Sequence, residues 1–167
     1  MLKSYEGTHS FEITVTDDNG GKSVATLSIK YGQGVAPVPS IVWDGYNIDE
    51  QQTYVAGMTC NLNVTAPLGI ADFKVKIISA TLTPEELAGV GLAGEFSLVN
   101  DSQYFESLKK LGFPVGDEVS GKTELSLSIT NFLSVLNMLG AGEHDFEMSV
   151  TDAEGNTTTK TVMMRFE

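Results

Sequence analysis

Residues 7–31 and 142–166 align without a gap at an offset of 135. Gly7, His9, Phe11, Glu12, Val15, Thr16, Asp17, Gly20 and Thr26 match Gly142, His144, Phe146, Glu147, Val150, Thr151, Asp152, Gly155 and Thr161. That is nine identities in 25 positions, with Lys30/Arg165 and Tyr31/Phe166 as conservative pairs. Both histidines of the chain lie inside this repeat, at the same place. Phe11, Ile13 and Val15 alternate with Glu12, Thr14 and Thr16, and Phe146, Met148 and Val150 repeat the pattern. A period of two means a strand with one buried face. Asp17-Asp18-Asn19-Gly20-Gly21 and Asp152-Ala153-Glu154-Gly155-Asn156 read as turns, because Asp bonds nearby backbone and Gly accepts positive φ. The return strands place Leu27, Ile29 and Tyr31, and Val162, Met164 and Phe166, on the buried side. Each copy therefore predicts a β-hairpin.

The run Phe146-Glu147-Met148-Ser149-Val150-Thr151-Asp152-Ala153-Glu154-Gly155-Asn156, followed by alternating Thr and apolar residues, resembles the closing hairpin of bacterial immunoglobulin-like, PKD-like and cadherin-like repeats. In those families a V-T-D-x-x-G-N turn joins the last two strands and each module ends there. The resemblance covers residues 7–31 and 142–166 only. It implies a fold, a mainly β immunoglobulin-like sandwich, together with a tandem-repeat habit and an extracellular or cell-surface location. It implies no reaction.

If each hairpin ends a module, the chain divides itself. Residues 1–31 are the tail of an incomplete module, 32–40 form a Gly/Pro linker, and 41–167 make one complete module. An isolated hairpin is marginally stable in water. Residues 1–31 must then dock on the complete module, pair with another chain as a strand-exchanged homodimer, or mark a truncation.

Within the complete module, Ile41-Val42-Trp43 opens as a short strand, with Thr53-Tyr54-Val55 continuing the edge. Residues 59–66 alternate, with Cys60, Leu62, Val64 and Ala66 on the apolar side; Phe73, Val75 and Ile77 mark another strand. Thr83-Pro84-Glu85-Glu86 reads as a capping box that starts a short helix. Asp101-Ser102 caps a second helix bearing Tyr104, Phe105, Leu108 and Leu111. Leu125, Leu127 and Ile129 form a strand, and 131–139 reads as a third helix closed by Gly140. The expected architecture is a sandwich decorated with two or three short helices and preceded by an extra hairpin.

Hydrophobic residues make up 41% of the 167, enough for a packed core, and the net charge is −12. Residues 1–40 carry −1 of this (three Lys, four acids) and 41–167 carry −11 (seven basic, eighteen acidic). That balance argues against nucleic acid and anionic membranes, which need clustered Lys and Arg. No stretch approaches a bilayer span of about 18 apolar residues, and Met1-Leu2-Lys3-Ser4-Tyr5-Glu6 lacks the apolar core of a signal peptide. Cys60 is the single cysteine, so no intrachain disulfide exists, and its place in the alternation makes it a buried structural thiol.

Chemistry-bearing patterns are few. His9 and His144 each precede a strand-forming Phe by two residues, so the repeat itself accounts for them as strand-start residues. Gly89-Val90-Gly91-Leu92-Ala93-Gly94 lacks the strand-to-long-helix setting of a dinucleotide loop. Asp17-Asp18, Asp49-Glu50, Glu85-Glu86 and Asp117-Glu118 are adjacent pairs in turns or helix starts, the wrong spacing for a catalytic dyad. Asp44, Asp49 and Glu50 lie near the linker, where cadherin-like modules bind calcium. Asn63, Asn100 and Asn156 start N-x-Ser/Thr sequons that Thr-rich strands produce by chance.

Trp43, Tyr46 and Tyr54 could form an aromatic platform for a sugar ring. The competing role of Trp43 is a core residue of the first strand. The expectation is a non-catalytic structural or adhesive module of a bacterial cell-surface protein, with no cofactor and no metal. Its partners would be neighbouring immunoglobulin-like modules and a protein or glycan at the surface. The alternative is a carbohydrate-binding module.

Overall fold

Alternating apolar and polar residues organise both parts of the chain in the computed structural model, which describes residues 7–31 and 37–167, with side chains for 10–29 and 37–167. Most of the expected linker, 32–36, lies outside the described residues. The chain separates into two compact units, Met1–Ala36 and Pro37–Glu167.

The first unit contains β1 (Gly7–Thr16) and β2 (Lys22–Tyr31), paired antiparallel with Phe11 opposite Leu27 and Ile13 opposite Ala25. The second holds β3 (Ser40–Trp43), β4 (Gln52–Thr53), β5 (Asn61–Thr65), β6 (Ile70–Ser79), β7 (Glu95–Ser97), β8 (Glu124–Ser128), β9 (Gly142–Asp152) and β10 (Thr157–Phe166). Three helices lie between strands: α1 (Pro84–Gly89), α2 (Phe105–Lys110) and α3 (Thr130–Leu139). The strands form one sheet in the order β3-β5-β8 and another in the order β4-β10-β9-β6-β7. The fold is mainly β.

One core joins both sheets. Ile41, Trp43, Leu62, Val64, Leu125 and Leu127 come from the first, and Phe73, Val75, Phe146, Met148, Val150, Val162, Met164 and Phe166 from the second. The helices add Leu87, Leu108, Phe132, Leu133 and Leu136. Edge-to-face contacts run from Phe96 through Phe113 and Phe132 to Phe146, with ring centroids 6.3, 5.4 and 5.2 Å apart. Fully burying each such ring stabilises the fold by roughly 1.5–3 kcal/mol.

Local expectations hold at α1, where the Thr83 hydroxyl accepts from the Glu86 N–H at 3.2 Å and the Glu86 carboxylate from the Thr83 N–H at 2.7 Å. They fail in two places, and one strand has no counterpart among them. Thr53-Tyr54-Val55 does not extend β3: β4 pairs parallel with β10, Gln52 opposite Met164, and so joins the other sheet. Asp101 makes no cap bond. Its carboxylate instead accepts from the Ser97 N–H at 2.6 Å, and a 3-10 turn (Ser102–Tyr104) precedes α2. The short strand β7 carries too little alternation to be seen in the sequence.

Candidate functional site

The aromatic residues of the expected sugar platform separate. Trp43 ends β3 on its inward face and is 1% exposed, so neither face of its indole is open to a ligand. This corrects its candidacy as a stacking surface: the alternation that places Ile41 inward places Trp43 inward too. Tyr46, in the following turn, is partly exposed and rests on Trp43 with centroids 4.8 Å apart. Tyr54 packs elsewhere, stacked on Phe166 at 5.1 Å, and its hydroxyl pairs with that of Ser134 at 3.2 Å.

Two of the acidic residues near the linker, Asp49 and Glu50, are engaged by other side chains. Asp49 accepts from the Lys160 ammonium at 2.7 Å, an exposed pair of little energetic weight. Glu50 accepts from the Asn47 side chain at 2.9 Å. Among the described residues no group of three or more His, Cys, Asp or Glu is placed to hold a metal ion.

Cys60 is fully buried just before β5. Burial raises its thiol pKa and the Trp43 indole offsets part of that rise, leaving it pushed up to about 11. Trp43 Nε1 has no full hydrogen bond, and the sulfur is a weak acceptor. At pH 8 roughly a thousandth of such a thiol is ionised. Thiol-reactive reagent should therefore leave the native protein unlabelled over an hour and modify one site per chain in urea. Equal labelling rates in the two conditions would contradict this burial.

Two buried polar residues lie in the closing hairpin, His144 and Asp152, and Ser97 of β7 is a third. His144 lies within β9, fully buried, opposite Ser79 of β6. Its Nδ1 and the Ser79 hydroxyl share a hydrogen bond at 2.8 Å, and its ring lies 5.1 Å from that of Phe166. The Ser79 oxygen also accepts the N–H groups of Thr81 and Leu82, at 3.1 and 3.0 Å. His144 thus pins the first strand of the hairpin to β6. Ser79 carries no signal of this role in the sequence, because the pairing depends on strand register.

Asp152 ends β9 and is 1% exposed. Its carboxylate accepts from the backbone N–H groups of Glu154 and Asn156, each at 2.9 Å, and from the Asn156 side chain at 2.9 Å. Desolvation pushes its pKa up, but the bonds from Asn156, Glu154 and Gly155 outweigh it and hold the carboxyl below the usual carboxylate range. A lowered folded-state pKa contributes stability that is present above the unfolded value, about 3.9, and is lost as pH falls through the folded one. Asp152→Asn should therefore be less stable than the parent at pH 7, and the gap should narrow at pH 3. Urea melts at the two pH values would show a constant gap if the ionised carboxylate were not the source.

The first hairpin repeats this turn. The Asp17 carboxylate accepts from the N–H groups of Asn19 and Gly21 at 2.9 and 2.7 Å. Gly20 and Gly155 both take positive φ, 82° and 85°, as the turn requires.

No family model matches the chain, and no curated protein matches it. Among solved structures, one similar chain is a Ca2+-stabilised adhesin that helps an Antarctic bacterium reach out and bind ice. It is 16% identical over 98% of this chain and 33% of that one, with a TM-score of 0.24. This chain spans about a third of the adhesin's length.

Proposed function

We propose that the second unit is a complete immunoglobulin-like β-sandwich module. On this reading the chain is a non-catalytic structural or adhesive part of a bacterial cell-surface protein. The strand order supports the sandwich. β3-β5-β8 corresponds to the strands A, B and E of such a module, and β4-β10-β9-β6-β7 to A′, G, F, C and C′.

The observation that carries the role is the duplication. One chain holds two hairpins with the same pairing register and the same turn bonding, as a string of like modules would. The outer face of the closing hairpin fits a spacer: hydroxyl pairs Ser149–Thr159 and Thr151–Thr157, at 2.7 and 2.8 Å, line it. Antibodies raised against the chain should label intact cells of the source bacterium and lose their target when those cells are treated with protease. Labelling that requires lysis would overturn the surface assignment.

A further inference from the structure

The two hairpins agree in pairing register and in the backbone bonding of their turns, and they differ in burial. Phe11 faces Leu27 as Phe146 faces Val162, and residue 9 faces Ile29 as His144 faces Met164. The Asp17 N–H donates to the Gly21 carbonyl at 2.9 Å, and the Asp152 N–H to that of Asn156 at 3.0 Å. Directly opposed residues share a face. Phe11, Ile13, Val15, Leu27 and Ile29 therefore form one apolar face of the first hairpin, and they are 46–63% exposed. Their counterparts Phe146, Met148, Val150, Val162 and Met164 are at most 2% exposed. Five large apolar side chains held side by side in water are a surface built to be covered.

What covers the counterparts defines the occupant. β9 and β10 lie between β6 and β4, and their inward face meets the sheet of β3, β5 and β8 in the core. We infer that residues 7–31 are the closing hairpin of a second sandwich. Their occupant is a frame made like residues 37–141: strands corresponding to β3 through β8, with an apolar interior and no closing hairpin of its own. The inference rests on the sandwich reading above for the form of that frame, and on the hairpin geometry for the fit. In each copy of this chain such a frame is already closed by residues 142–166, so a second copy is not the occupant.

The direct test is a full-length chimera in which residues 142–166 carry the sequence of 7–31. The exchange substitutes Ile for Met148, Leu for Val162, Ile for Met164 and Tyr for Phe166, all close in volume. The chimera should unfold cooperatively within about 15 °C of the parent. Asp in place of the grafted Phe at position 146 should abolish that transition. Loss of the transition in the chimera itself, or a melt indifferent to the Asp, would overturn the inference. Light scattering on the unmodified chain should give a monomer. A dimer that Phe11→Asp dissociates would make a second copy the occupant and overturn it as well. Neither result depends on where the protein resides, so the surface assignment can fail separately.

Discussion

Phe146→Ala should remove about 3–5 kcal/mol from the stability of the second unit, whereas Phe11→Ala should change it by less than about 0.5 kcal/mol. The two phenylalanines occupy the same position of the same hairpin. Phe146 is 1% exposed and meets the ring of Phe132 at 5.2 Å, so its removal leaves a cavity between the sheets. Phe11 is 53% exposed, and truncating it opens nothing. Urea denaturation of both variants measures the difference. A comparable loss at Phe11 would mean that the first hairpin is already covered within this chain.

Trp43→Ala should cost a similar amount, about 3–5 kcal/mol, and should do so without ligand present. The indole is 1% exposed, supports Tyr46 and adjoins the buried thiol of Cys60. A residue serving as a sugar platform would behave in the opposite way, losing affinity with stability unchanged. Glycan-array screening of the parent and of Trp43→Phe, which keeps an aromatic ring in the core, separates the two. The expected result is no binding that depends on this position. Binding abolished in Trp43→Phe with an unchanged melt would restore the platform.

The strands were legible in the sequence wherever apolar and polar residues alternate, whether or not the apolar face is covered. Phe11 to Val15, Leu62 to Val64, Phe73 to Ile77 and Phe146 to Val150 all announce themselves by alternation, and Thr83 to Glu86 by a local bonding pattern. Contacts set by strand register were not. Nothing near Ser79 reveals that it faces His144 on the neighbouring strand, and nothing near Gln52 reveals that β4 joins β10 in parallel. In the sequence Trp43 fits both core and platform, because an aromatic residue at a strand end suits either. Only the packing of the neighbouring sheet decides which. Asp101 illustrates competition between partners: its carboxylate could cap a helix, and the Ser97 N–H took it instead.

Amide hydrogen exchange on the full chain tests the central claim most directly, because it compares the two hairpins in one sample. The backbone bonds of β9 and β10 open only when the second unit unfolds. The amides that bond across the β9–β10 pair should be protected by a factor of at least about a thousand, given a domain stability of about 5 kcal/mol or more. Those of β1 and β2, with their apolar face uncovered, should exchange close to the rate of an open chain. Equal protection of both hairpins would contradict the account, since a frame closing the first hairpin would then already be present.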